Sequence, residues 1–182
     1  MSHNSYFISD THFGHANIIN FLRDDGTKLR PFNSIEEHDE TLISNWNSVV
    51  KPTDRIYCLG DCVIHRKHLP IFSRLNGRKK LIRGNHDLFK LEDYTPYFED
   101  MYGCYVLKGL ILSHIPIHPN SMGKFGTNVH GHLHAGEVTK HVTDSMIPLQ
   151  EIDNRYISVC CEHINYTPQS IEELRERIKE RA

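Results

Sequence analysis

In YFISDTHFGH (6–15) the ionisable pair Asp10 and His12 follows directly on a short apolar run. Tyr6-Phe7-Ile8 has the composition of a buried strand, and an aspartate and a histidine behind it would pay a heavy desolvation penalty without partners. The same pattern recurs. Asp61 ends the run RIYCLG (55–60), Asn85, His86 and Asp87 follow KKLIRG (79–84), His114 closes CYVLKGLILS (104–113), and HGHLH carries His132 and His134. Carboxylates, imidazoles and an amide oxygen, with no clear thiolate among them, suit borderline or hard divalent ions and not a closed thiolate zinc site. Asp10, His12, Asp61, Asn85, His114, His132 and His134 are too many ligands for one tetrahedral ion. Two ions about 3.5–4 Å apart, sharing one bridging carboxylate, would use them all.

Positioning such a set requires strands whose carboxyl ends meet, as in open α/β sheets, where ligands collect beyond those ends. In extended chain, alternate residues point the same way, so Asp10 with His12 and His132 with His134 are expected to converge. Glycines at 60, 84 and 131 are expected to let the backbone turn and approach the ions. Strand-like runs alternate with helical patterns, which favours an α/β architecture. A short helix is expected over 14–22 and another near 67–75. Ser34 with Glu37 forms a capping box for a longer helix with Ile35, Leu42, Ile43, Trp46, Val49 and Val50 on its apolar face, ending before Pro52. The run 104–113 reads as a hairpin turning at Lys108-Gly109, 127–131 and 155–161 as strands, and 169–181 as a closing amphipathic helix.

The chain's 182 residues suit one domain over 1–182. Its formal charge of -2 gives no bulk attraction to nucleic acid or to anionic membrane. A local basic spot remains at Arg78-Lys79-Lys80 with Arg83. No apolar run approaches bilayer length and no signal-peptide pattern opens the chain, so a cytoplasmic protein is expected. The five cysteines follow no disulfide or zinc spacing and read as small core residues. The oligomeric state has no signature in the sequence.

The ordered blocks DTH, GD, GNHD, SH and GHLH resemble the calcineurin-like metallophosphoesterase superfamily, and the ending ISVCCEHINYTPQSIEEL resembles its small single-domain bacterial and phage members. The resemblance implies a four-layer α/β/β/α sandwich of two packed mixed sheets flanked by helices. It further implies that Asp10, His12, Asp61 and His134 hold one ion and Asp61, Asn85, His114 and His132 the other, with Asp61 as the bridge. The implied cofactor is two divalent ions, Mn²⁺ foremost, with Fe, Zn or Ni as alternatives. The implied activity is hydrolysis of a phosphodiester, phosphomonoester or nucleotide by in-line attack of a hydroxide bridging the two ions. His86 would then be the general acid for the leaving oxygen. Many members carry a second aspartate three residues after the one in GD, and here that position is Ile64. Asp87 and His65 are the candidates to orient His86 in its place.

His15, His118 and Arg83 are candidate substrate contacts, His15 because it opens a helix where a phosphate can bind. Arg30 is less favoured for that role, and His130 is read as supporting or strand-surface. His38, His65, His68, His141 and His163 are read as solvated. A non-catalytic interaction module on the same fold and a nuclease acting on nucleic-acid ends are the competing functions. Loops 23–33, 64–70 and 115–126 would choose the substrate and carry no readable code.

Overall fold

A computed structural model describes residues 3–142 and 149–181. In chain order the elements are β1 (Ser5–Ile8), α1 (Ile35–Val49), β2 (Arg55–Cys58), β3 (Arg78–Ile82), α2 (Leu91–Tyr94), β4 (Asp100–Tyr102), β5 (Cys104–Leu107) and β6 (Leu110–Ser113). Then follow β7 (Thr127–His130), β8 (Thr139–Val142), β9 (Leu149–Ile152), β10 (Tyr156–Ser158), β11 (Gln169–Ser170) and α3 (Ile171–Arg181). The side chain of His141 lies outside the described residues.

Two mixed sheets form the body of this α/β protein. The first runs β11-β1-β2-β3-β4, parallel except for β11, and the second runs β10-β7-β6-β5, parallel except for β5. Their facing sides meet in the buried core, to which Phe7 and Tyr57 come from the first sheet and Leu112, Val129 and Ile157 from the second, with the Tyr57 and Tyr105 rings stacked at 5.7 Å across the sheets. Apolar residues fill β1 and β6 on both faces, as sheets covered on both sides require. The sheets also join at their carboxyl ends. Ser9 N–H donates to Val159 O at 2.9 Å, Val159 N–H to His130 O at 2.9 Å, and Gly131 N–H to His114 O at 2.9 Å. The ends of β1, β6, β7 and β10 are therefore one connected rim.

The helical elements differ in detail from expectation. Ser34 Oγ accepts from Glu37 N–H at 3.1 Å, but the Glu37 carboxylate takes the Asn33 N–H at 2.8 Å, so only half of the capping box forms. Leu42, Ile43 and Trp46 are buried, and the Trp46 indole donates to Asn76 O at 2.9 Å. The short helices expected over 14–22 and near 67–75 form as 3-10 helices, Ala16–Asn20 and Arg66–Arg74. Pro70 lies inside the second, where it removes a backbone donor and blocks α-helical continuation. The hairpin turn matches expectation: Lys108 (φ 49°) and Gly109 (φ 88°) are both left-handed, the geometry of a tight two-residue connection.

No helix among the described residues is long and apolar enough to cross a membrane. Two of the four cations of the basic spot are paired with acids: Arg78 with Glu99 at 2.6 Å and Lys80 with Asp100 at 2.6 Å.

Candidate metal centre

The loops after β1 and β2 are laced together. Asp10 N–H donates to Gly60 O at 3.0 Å, His12 N–H to Asp61 O at 3.1 Å, and Phe13 N–H to Cys62 O at 3.0 Å. Within this lacing Asp10 (φ 57°), His12 (φ 48°) and Asp61 (φ 52°) are left-handed, as are His132 (φ 71°) and His134 (φ 50°) in the loop after β7. The expected alternation of extended chain is thus corrected: left-handed kinks, not a pleat, turn these side chains together. Each kink costs about 1–2 kcal/mol for a residue with a Cβ, and such costs collect where function requires them. Two glycines make room for the carboxylates. A Cβ at Gly84 would meet Asp61 N at 2.6 Å, and one at Gly131 would meet Asp10 Oδ2 at 2.5 Å.

Two clusters result, Asp10 with His12 and His134, and Asp61 with His114 and His132. In the first, Asp10 Oδ1 lies 3.8 Å from His12 Nε2 and 4.0 Å from His134 Nε2, and the His12 and His134 rings stack at 5.2 Å. Asp10 Oδ2 is occupied by His132 N–H at 2.9 Å and the Cys160 thiol at 3.2 Å. Its Oδ1 and both ring nitrogens of His12 are buried with no protein partner. Unpartnered buried groups of this kind are costly and rare. A divalent cation fits, because every orphaned atom facing the cluster is a lone-pair donor.

In the second cluster His114 Nε2 lies 3.3 Å from Asp61 Oδ2 and 2.9 Å from Asn85 Oδ1. The Leu59 carbonyl, an acceptor only, sits 2.7 Å from His114 Nδ1 and fixes the proton there. That leaves Nε2 as the ligating atom. Asp61 Oδ1 takes the His86 N–H at 2.9 Å, which turns Oδ2 toward the cluster.

Electrostatics follow the packing. Burial pushes the Asp10 carboxyl up, but His12, His114 and His134 around it bring it below the ordinary carboxylate range. Burial lowers the His12 imidazole. His114 and His134 resist the same burial and are raised, by Asp61 and by Glu162 respectively.

His86 is about half exposed, with Nε2 4.0 Å from Asp61 Oδ2 and its ring 6.2 Å from His12. Asp87 does not orient it. The buried Asp87 carboxylate instead accepts N–H groups of Asp61 (2.8 Å), Cys62 (3.3 Å) and Gly84 (2.9 Å), tying the second and third loops together. Among the described residues no hydrogen bond reaches the His86 ring, from His65 or elsewhere. His15 lies 5.7 Å from the His12 ring, and burial with its cationic neighbours lowers its pKa to about 4. His118 caps its own turn, accepting Asn120 N–H at 3.3 Å, outside both clusters. Arg83 braces the GNHD turn, donating to the carbonyls of Asp87 and Phe89.

His38, read as solvated, is fully buried, and so is Arg30 beside it. Arg30 donates to Asp10 O at 2.5 Å and Thr11 O at 3.2 Å, stands 2.8 Å from His38 Nε2, and pairs with Glu162 at 2.8 Å. Glu162 was missed altogether, although it follows the apolar run ISVCC in the way Asp10 and Asp61 follow theirs. Its carboxylate accepts from His134 Nδ1 at 3.1 Å. His130 is buried, with Nδ1 2.8 Å from Gly131 O.

Fold and site together define an α/β protein of two packed mixed sheets with two adjoining candidate metal-binding clusters at their common rim. The chain belongs to the family of the uncharacterized protein MJ1445 of Methanocaldococcus jannaschii, with 35% identity over 175 residues that span 92% of this chain and 86% of that protein. The gene 66 protein of Mycobacterium phage L5 is 40% identical over 93 residues, 46% of this chain and 40% of its own. The solved structure of AQ665 from Aquifex aeolicus, a protein of unknown function, matches with a TM-score of 0.64 at 28% identity, covering 96% of this chain and 99% of that one. A solved archaeal phosphodiesterase is more distant, with a TM-score of 0.45 at 15% identity over 92% of this chain and 98% of its own. No family model matches the chain.

Proposed function

We propose that the protein is a two-metal phosphoesterase with the calcineurin-like four-layer sandwich fold, a single domain over 1–182. The observation that carries this reading is the pair of clusters, one of which holds Asp10 Oδ1 and His12 Nε2 buried without protein partners. Asp10, His12 and His134 would hold one divalent ion and Asn85, His114 and His132 the other, with Asp61 between them. When bound, two such ions supply positive charge at phosphoryl oxygens and make water a competent nucleophile at neutral pH. Mn²⁺ is the first choice for this donor set, with Fe, Zn or Ni as alternatives.

The chain's own residues do the rest. Leu59 and Glu162 fix the rings of His114 and His134 with Nε2 inward. His86 stands on the open side beside Asp61, where it can give a proton to a departing alkoxide. A small phosphate ester or nucleotide is the proposed substrate. The basic spot, two of whose four cations are paired with acids, does not favour nucleic acid. Five free cysteines suit the cytoplasm.

Protein saturated with Mn²⁺ should hold two ions per chain by elemental analysis and hydrolyse bis-p-nitrophenyl phosphate, with activity lost to chelator and restored by metal. A protein that holds two ions and turns over no phosphate ester would overturn the enzyme reading.

A further inference from the structure

Two clefts open beside the metal clusters, each at a different one. A cleft of about 490 Å³ has His134 in its wall, with Leu22 and Leu29 as apolar lining and Arg23, Asp24 and Asp25 as charged lining. Another of about 380 Å³ has Asn85 and His114 in its wall, with Arg83, Gly103, Ile115 and Ile117 alongside. His134 belongs to the Asp10 cluster and His114 to the Asp61 cluster. A phosphate seated across both therefore has a cleft available on the side of each. Both volumes lie in the range of about 300–1,000 Å³ that small-molecule sites occupy. A third cleft, around Leu69, Pro70 and Tyr97, includes none of the candidate ligands.

The rims add a second observation. Leu22 is 63% exposed at the first cleft and Ile115 52% exposed at the second. Exposed aliphatic groups beside a polar centre gain by being covered with apolar or ring surface.

We propose that the two clefts receive the two organic arms of a phosphodiester, each of nucleoside or aryl size, with the phosphate on the clusters between them. This rests on the phosphoesterase reading and selects diesters over monoesters within it. Water adds to phosphorus, the ester bond to one arm breaks, and that arm leaves as an alcohol carrying a proton from the water or from His86. The phosphomonoester of the other arm is the second product. A monoester fills one cleft and leaves the other to solvent.

The test compares thymidine 5'-(p-nitrophenyl phosphate), which has two arms, with p-nitrophenyl phosphate, which has one, on Mn²⁺-loaded protein. Gly103→Trp fills the second cleft at a position where a Cβ meets nothing within 4 Å. Leu22→Ala removes an exposed wall of the first. The diester should have the higher kcat/KM, by about tenfold or more, since substrate surface outside the reacting centre contributes to transition-state binding. Gly103→Trp should raise its KM about tenfold and Leu22→Ala about fivefold, each well beyond the change for the monoester. Equal changes on both substrates, or none on either, would overturn the two-cleft assignment. The same variants are scored by calorimetric binding of the dinucleotide TpT. If no ester is turned over, the enzyme reading fails; the clefts then stand if both variants weaken TpT binding and fall if they do not.

Discussion

Glu162 Oε1 lies 3.1 Å from His134 Nδ1 and 2.8 Å from Arg30 Nε, so one buried carboxylate holds both a candidate metal ligand and the guanidinium that clamps the loop before it. Arg30 reaches the carbonyls of Asp10 and Thr11 and the ring of His38. His38 Nδ1 donates to Asp39 at 2.8 Å, and Asp39 accepts the Gly14 N–H at 2.9 Å. Left-handed residues at 10 and 12 would relax if the loop were free. This network fixes it from behind and keeps His134 Nε2 aimed at Asp10.

Removing the carboxylate should therefore have two separable effects. Glu162→Ala leaves Arg30 buried without its counter-charge and should lower stability by about 3–5 kcal/mol in urea unfolding. Glu162→Gln keeps an oxygen for Arg30 Nε and should recover part of that loss. The neutral amide is a weaker acceptor for His134 Nδ1, so Mn²⁺ affinity measured by titration should stay about 10–100-fold weaker. Recovery of metal affinity together with stability would mean that the charge of Glu162 is not what holds His134.

The same pair makes stability sensitive to acid. Burial raises the Glu162 carboxyl, but Arg30 and His134 outweigh it and hold the pKa at about 2, against an ordinary value of 4.5. A carboxylate depressed in the folded state contributes stability that is complete above the unfolded value and is lost as pH falls through the folded one. In chelator, unfolding free energy should thus decline between about pH 5 and pH 2. Glu162→Gln should flatten the decline, measured by urea unfolding across that range.

The strand-end clusters were legible because apolar runs buried on both faces stop abruptly at ionisable residues, and that contrast survives in a bare sequence. Their mode of convergence was not, because left-handed kinks at Asp10, Asp61 and His134 leave no mark in residue type beyond the glycines nearby. His38 shows how an internal polar network hides. It shares the helix face of Leu42 and Trp46 by four-residue spacing, and reading it as solvated ignored that periodicity. β4 (DMY), β8 (TKHV), β9 (LQEI) and β11 (QS) are as short as the strands that were legible but lack their apolar run, so nothing sets them apart from polar connections.

Metal stoichiometry tests the bridge. Asp61→Asn keeps an oxygen for the His86 N–H yet removes the charge facing His114, so folding should survive while bound Mn²⁺ falls below one ion per chain. Asp10→Asn, confined to the other cluster, should keep one ion. Elemental analysis after dialysis distinguishes them: Asp61→Asn retaining one full ion would assign Asp61 to the His114 cluster alone, as its distances already group it.

His86 is the candidate acid whose ring has no described partner to set its orientation, since Asp87 is taken up by three backbone N–H groups. Its nearest carboxylate, Asp61, is 4.0 Å away. If His86 protonates the leaving oxygen, His86→Ala should keep both ions yet lose about 10²–10⁴-fold in kcat on esters with alkoxide-like leaving groups. Esters of p-nitrophenol depart without needing a proton and should lose much less. Steady-state kinetics on one metal-replete variant gives both numbers. Equal losses would assign His86 to phosphate binding or to holding Asn85 in place, and the leaving group would then take its proton from solvent, which the exposure of this side of the centre allows.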